Sequence, residues 1–172
     1  STMQERENAI TMKGAPLALL GTPVQEGQPA PDFTVVANDL SPVNLSDYKG
    51  KTVIIASVPS LDTSVCDTET RTFNEKAAAL GEDVVVLTIS MDLPFAQARW
   101  CGAAGIDRVQ TLSDYQQADF GKKYGLLIKD LRLLARAVVV VDAEGTVRYT
   151  QLVPEVAQEP DYEAVIKAVN AL

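Results

Sequence analysis

The sequence of 172 residues contains no histidine and only two cysteines, Cys66 and Cys101. Without histidine, a chain has no Cys-His nucleophile pair, no Ser-His-Asp triad and no imidazole ligand for zinc. A zinc site would need carboxylates or a second chain, so we expect no bound metal. Any activated nucleophile must therefore rely on arginine, hydroxyl groups or backbone dipoles.

Several other kinds of site are missing as well. The ten glycines are dispersed, and none precedes a Lys-Ser or Lys-Thr pair in the spacing of a phosphate-binding loop. No segment approaches the roughly 18 apolar residues of a membrane span, and no charged-then-apolar leader opens the chain. Acidic side chains outnumber basic ones by 23 to 15, and the basic ones form no cluster. We expect no nucleic acid and no membrane as partner, and a cytoplasmic location.

The composition favours one compact domain. Apolar residues make up 47% of the chain, which is enough for a full core without disulfides. The single domain is predicted to span residues 1–172, with a flexible N-terminal segment over residues 1–9.

The order of the predicted elements indicates an α/β fold. A buried strand over 52–58, a helix that ends at Gly81 and a second strand over 84–90 form a parallel crossover. The remaining predicted elements are a hairpin over 10–20, a strand over 33–37, helices over 94–104, 114–124 and 161–171, and a hairpin with strands over 136–141 and 146–152. This order predicts a thioredoxin-like fold with a mixed central sheet flanked by helices and an added N-terminal β-hairpin.

Cys66 is the strongest candidate for a reactive residue. It is predicted to lie in the opening turn of a helix, where unpaired N–H groups and the helix dipole favour thiolate over thiol. Asp67 and Glu69 act in the opposite direction, so a cationic partner is required. Arg136 begins a strand antiparallel to the crossover strands and is therefore expected at the same sheet edge. The alternatives are a Cys66 that is a small buried hydrophobe and an Arg136 at the surface.

Two segments carry a resemblance to a known family. Pro59, Thr63 and Cys66 stand in the spacing P-x-x-x-T-x-x-C, which resembles the active-site motif of the peroxiredoxins. Residues 60–66 together with 90–101, a segment that ends in Cys101, resemble the bacterial thiol peroxidase branch of that family. The likeness extends from about Lys13 to the C-terminus.

The resemblance implies a role for each motif residue in a peroxidase. Cys66 would attack the terminal oxygen of a hydroperoxide and become a sulfenic acid. Arg136 would stabilise the thiolate and the charge on the breaking O–O bond, and the Thr63 hydroxyl would orient the attack. Pro59 would shield the site from water. For Thr63 a helix N-cap is the alternative, and the two roles are compatible.

Cys101 would, by the same resemblance, be the resolving cysteine that forms an intrachain disulfide with Cys66. Local unwinding around Trp100 would bring the two sulfurs together, with Gly102 and Gly105 as soft points. A static structural disulfide is the alternative. The family also implies thioredoxin as reductant and a homodimer, and no motif for flavin or nicotinamide is present, so we expect no cofactor. An apolar approach to the site is expected from Leu40, Leu61, Leu126, Leu127 and Ile128.

Two other functions remain open from the sequence. A disulfide oxidoreductase would pass electrons between proteins, although the chain has no C-x-x-C motif. A binding or signalling protein would use the Cys66–Cys101 bond as a redox switch. Repeated turnover of peroxide distinguishes both from a peroxidase.

Overall fold

The structure is a computed structural model, and the residues that it describes are 3–172. The strands are β1 Glu5–Met12, β2 Ala15–Leu20, β3 Thr34–Val36, β4 Pro42–Asn44, β5 Thr52–Ser57, β6 Val84–Ser90, β7 Val109–Ser113, β8 Leu127–Ile128, β9 Ala137–Val141 and β10 Val147–Leu152. The helices are α1 Ser64–Leu80, α2 Pro94–Ala104, α3 Asp119–Tyr124 and α4 Tyr162–Asn170.

The central sheet has seven strands in the order β10-β9-β5-β6-β7-β3-β4. Strands β5, β6 and β7 are parallel, whereas β9 runs antiparallel to β5 and β3 runs antiparallel to β7. The helix α1 connects β5 to β6, which is the predicted crossover. The mixed sheet predicted from the sequence is therefore confirmed.

Strand β5 is buried on both faces, as its run of β-branched residues indicates. Ile54 and Ala56 pack in one core cluster with Phe73 of α1 and Val165 of α4. The alternate residues of β5 contribute to the larger cluster on the opposite face. Two cores, one on each side of the sheet, hold the carboxyl end of β5 in place.

The N-terminal hairpin consists of β1 and β2, which β8 extends to a three-stranded sheet. Its two-residue turn has positive φ at both Lys13 (50°) and Gly14 (80°), the backbone that short hairpins favour. The predicted hairpin is confirmed, but β1 begins at Glu5. Residues 5–9 of the segment that we expect to be flexible thus lie in a strand, while residues 1 and 2 lie outside the described part of the chain.

The helix predicted over 114–124 begins only at Asp119. The Asp114 carboxylate accepts hydrogen bonds from Phe120 N (3.1 Å) and Gly121 N (2.9 Å), so Asp114 caps this helix from outside it. Strand β7 just before it was not predicted, because Gln110, Thr111 and Ser113 interrupt its apolar pattern. Throughout residues 3–172, no helix has the length and hydropathy that spanning a bilayer requires.

Candidate active site

Cys66 is the third residue of α1 and is fully buried just beyond the end of β5. Its backbone N donates to the Thr63 hydroxyl at 3.3 Å, and that hydroxyl donates to Ser60 O at 3.0 Å. Thr63 is thus the N-cap of α1, the alternative that the sequence left open. Pro59 is buried in the preceding loop. The structure therefore brings the three motif residues into one turn, with the threonine hydroxyl bonded to the backbone on both sides.

Arg136 lies immediately before β9, whose first residue, Ala137, pairs with Ser57 at the end of β5. Its Nε and Nη2 atoms donate to Val156 O at 2.9 and 2.7 Å. Its Nη1 atom donates to Glu69 Oε1 at 2.9 Å. The side chain is buried, which excludes the surface position considered above. These bonds fix the guanidinium plane next to the Cys66 thiol.

The charges at the site influence one another. Burial lowers the pKa of Arg136, but the neighbouring Cys66 sulfur and the Glu69 carboxylate raise it by more, so the net direction is upward. Burial raises the pKa of Glu69 to about 7, although Arg136 acts against this shift. Glu69 Oε2 is buried without a hydrogen-bond partner. Arg136 thus remains a cation, whereas Glu69 carries its negative charge at a cost.

Glu69 is a site residue that the sequence reasoning did not assign. From the sequence, Glu69 is expected only to oppose the thiolate as a nearby negative charge, together with Asp67. In the structure each of these acids has an arginine partner, Glu69 with Arg136 and Asp67 with Arg71 at 3.0 Å. The i,i+3 spacing of Cys66 and Glu69, which places both on one helix face, is the signal that could have indicated this role.

Asp92 is a second unassigned residue, and it holds the loop before α1. Its carboxylate accepts from Ser60 Oγ at 2.7 Å, from Leu61 N at 2.8 Å and from Ser90 Oγ at 2.7 Å. Because Ser60 O in turn accepts the Thr63 hydroxyl, the network runs from the end of β6 to the cap of α1. Asp92 therefore positions the loop that carries Pro59 and Thr63.

Trp100 packs against the small cluster formed by Val58, Leu61 and Cys66. The Arg71 guanidinium lies 5.8 Å from the centroid of the indole ring, and its Nη1 donates to Ala104 O at 3.3 Å. Arg71 therefore links α1, which carries Cys66, to the end of α2, which carries Cys101.

Cys101 is half-buried and has surroundings of its own. Its sulfur lies 3.2 Å from Thr111 Oγ1 on β7, and it faces a cleft of about 490 Å³ beside residues 37–43. Both cysteines are free thiols. The structure thus places Trp100 against Cys66, whereas the Cys101 sulfur is bonded on β7.

The expected apolar approach is only partly present. Leu61 packs against Cys66, but Leu126, Leu127 and Ile128 belong to the main core cluster. Leu40 is half-exposed in a different cleft, beside β3 and residues 113–117. The prediction was wrong for these four residues, because β8 pairs with β2 of the N-terminal hairpin and Leu40 lines a cleft that Cys66 does not share. Within residues 3–172, no three cysteine or carboxylate side chains group as ligands for a metal ion.

Comparison with known proteins shows similarity over nearly the whole chain. A family model described as Redoxin matches residues 25–166. A thiol peroxidase of Oceanobacillus iheyensis is 58% identical over 161 residues, which are 94% of this chain and 98% of that protein. A thiol peroxidase of Bacillus subtilis is 56% identical over 163 residues, 95% of this chain and 97% of that protein. The crystal structure of a peroxiredoxin-like protein from Aquifex aeolicus matches with a TM-score of 0.90 at 42% identity, covering 99% of both chains. The predicted thioredoxin-like architecture is confirmed.

Proposed function

Because the chain belongs to the redoxin family, as a peroxiredoxin of the bacterial thiol peroxidase branch, we propose that it reduces hydrogen peroxide and organic hydroperoxides through Cys66. The observation that carries the proposal is the buried Cys66 thiol at the first turn of α1, next to the Arg136 guanidinium. A thiol-dependent peroxidase passes two electrons from a thiol to the peroxide bond. Cys66 is the residue here with a cation and a helix N-terminus beside its sulfur.

In the first step the Cys66 thiolate attacks the terminal oxygen of the hydroperoxide. The S–O bond forms as the O–O bond breaks, which leaves a sulfenic acid, and the departing alkoxide or hydroxide takes up a proton. Arg136 stabilises the negative charge as it moves from sulfur to the leaving oxygen. Thr63 exchanges its bond to Ser60 O for one to the peroxide and so aligns the attack, while Pro59 excludes water.

In the second step Cys101 attacks the sulfenic sulfur, forms the intrachain disulfide and releases water. Trp100 and the end of α2 must move first, because Cys101 is held against β7. The left-handed Gly105 that ends α2 (φ 68°) and the open space around Gly102 support local unwinding there.

In the third step thioredoxin reduces the disulfide by thiol–disulfide exchange. This cycle suits the reducing conditions of the cytoplasm, where free thiols persist. The enzyme works as a homodimer. Support comes from Leu93 and Phe95 at the start of α2, which are 52% and 66% exposed next to the Asp92 loop and form an apolar surface for a second subunit.

A coupled assay tests the function. The protein is mixed with cumene hydroperoxide, thioredoxin, thioredoxin reductase and NADPH, and NADPH oxidation is followed. We expect sustained turnover that Cys66→Ser abolishes and that Cys101→Ser reduces strongly. Reduction of insulin disulfides without peroxide consumption would instead indicate a disulfide oxidoreductase, and a single stoichiometric oxidation would indicate a redox switch.

A further inference from the structure

Cys101 takes part in a short chain of hydrogen bonds on the side of α2 that faces β7. Its sulfur lies 3.2 Å from Thr111 Oγ1, and the Thr111 hydroxyl donates to Asn38 Oδ1 at 3.2 Å. Thr111 is buried on a central part of the sheet, whereas Asn38 is half-buried in the loop between β3 and β4. The chain therefore joins the candidate resolving cysteine to two other elements of the fold.

The direction of these bonds follows from the number of protons. A threonine hydroxyl has one proton, and Thr111 gives its proton to Asn38. The Thr111 oxygen can then serve Cys101 only as an acceptor, so the bond between them requires the S–H proton. In the docked conformation, Asn38 and Thr111 thus hold Cys101 as a neutral thiol, which is a poor nucleophile.

We propose that Thr111, oriented by Asn38, is a positioning residue that keeps Cys101 protonated and docked on β7 until α2 unwinds. This inference rests on the proposed function, in which Cys101 resolves the Cys66 sulfenic acid. Its consequence is that release from Thr111 contributes to the barrier of disulfide formation, and that the hydroxyl prolongs the life of the sulfenic acid.

The release step balances in protons and electrons. When α2 unwinds, Cys101 leaves Thr111 and gives its proton to water in the adjoining cleft, which Asp39 and Gln110 also line. The Cys101 thiolate then attacks the Cys66 sulfenic sulfur, and the S–S bond forms as the S–O bond breaks. The departing hydroxide takes up one proton and leaves as water, so the proton that Cys101 lost is accounted for.

The chain offers a matched control for the hydroxyl. Thr88 on β6 pairs in register with Thr111 on β7 and is equally buried, but its Oγ1 has no hydrogen-bond partner. Thr88→Val and Thr111→Val therefore make the same change of a hydroxyl to a methyl at neighbouring buried positions. Only Thr111→Val removes an acceptor from Cys101.

The experiment is stopped-flow tryptophan fluorescence of the reduced proteins mixed with excess peroxide, which separates sulfenic acid formation from disulfide formation. We expect Thr111→Val to leave the first phase unchanged and to accelerate the second about fivefold, the change that corresponds to one net hydrogen bond. Thr88→Val and the conservative Thr111→Ser are expected to match the wild type in both phases. An unchanged or slower second phase in Thr111→Val would overturn the inference.

A second variant does not depend on a substitution within the sheet. Asn38→Ala removes the acceptor of the Thr111 proton and frees that proton to bond to the Cys101 sulfur. In a Cys66→Ser background, we expect iodoacetamide to alkylate Cys101 several-fold faster at pH 7 in Asn38→Ala, and equal rates would overturn the inference.

If the oxidised wild type contained no Cys66–Cys101 disulfide, the proposed function would fail as well. If the disulfide formed in the wild type and at the same rate in all variants, only the role of Thr111 would be refuted, and the proposed function would stand.

Discussion

Arg136 and Glu69 form an ion pair with an N–O distance of 2.9 Å, although their side chains are only 2% and 1% exposed. Burying two charges is costly, so such a pair is better explained by positioning than by stability. The carboxylate uses one oxygen for Arg136, and the other oxygen has no partner. Glu69 thus holds the guanidinium in place next to Cys66, although burial makes the charged form of its own carboxyl group unfavourable.

That cost predicts a pH dependence of stability. The pKa of Glu69 is raised from 4.5 to about 7, first by burial and further by the charge of Glu159, while Arg136 opposes the shift. The folded state therefore binds this proton more tightly than the unfolded state, and the resulting stabilisation is complete below pH 4.5 and lost as pH rises through 7. Relative to Glu69→Gln, the wild type should lose on the order of 3 kcal/mol of unfolding free energy across this window.

Denaturant unfolding of both proteins between pH 4.5 and 8 measures this difference. The pKa of Asp114 is also raised by burial, to about 6, but this carboxyl is present in both proteins and its contribution cancels. Unfolding free energies that differ by a constant amount at every pH would contradict the account of Glu69.

The guanidinium of Arg136 should matter beyond its charge. Arg136→Lys keeps a cation but cannot bond Val156 O and Glu69 from a fixed plane while facing Cys66. We expect the second-order rate constant of Cys66 oxidation to fall by roughly 100-fold, as for loss of a preorganised donor at a developing charge. The control is Arg148→Lys, an exposed arginine paired with Asp142 at 3.1 Å, which should leave the rate unchanged. Similar rates for both variants would argue against this role for Arg136.

Substitution of Thr63 should distinguish its role as the N-cap of α1 from its role in the reaction with peroxide. Thr63→Val removes the N-cap of α1 and should cost about 1 kcal/mol of unfolding free energy. It should also slow the oxidation of Cys66 by peroxide. Thr63→Ser keeps the hydroxyl and should therefore keep both the stability and the oxidation rate of the wild type. Thr72→Val is the control within the same helix, because its hydroxyl donates to Thr68 O at 2.8 Å and takes no part in the N-cap. If Thr63→Val changed stability but not the oxidation rate, Thr63 would be a cap only.

Asp92 should influence a reaction that it does not touch. Asp92→Asn weakens the charge-assisted bonds to Ser60 and Leu61, so the loop that orients Thr63 gains mobility. We expect a several-fold slower oxidation of Cys66 and faster amide exchange at Leu61. The control is Asp107→Asn, which makes the same change at an exposed position just after α2. Unchanged exchange at Leu61 would show that Asp92 does not hold the loop.

The parts of this fold that the sequence predicts are those encoded by local patterns. The β-branched run of β5, the capping residues before Cys66 and Gly81 after the helix place the thiol at the end of a strand without reference to any distant residue. Arg136 could be placed at the same edge because strand direction alone decides it.

The parts that the sequence does not predict depend on distant contacts. Glu69 and Arg136 are 67 positions apart, and carboxylates are usually exposed, so nothing local indicates a buried pair. The two residues of β8 form a strand only because β2 lies beside them. Asp114 resembles the first residue of a helix, but it caps α3 from five residues away.

Labelling of the sulfenic acid identifies the residue that peroxide oxidises. Reduced Cys101→Ser protein is mixed with one equivalent of hydroperoxide in the presence of a 1,3-dione that labels sulfenic acids, and the label is located by peptide mass spectrometry. We expect one label per chain at Cys66, formed much faster than a free thiol reacts, and a Cys66–Cys101 disulfide in the wild type. Labelling no faster than that of a free thiol, or at a residue other than Cys66, would contradict this expectation.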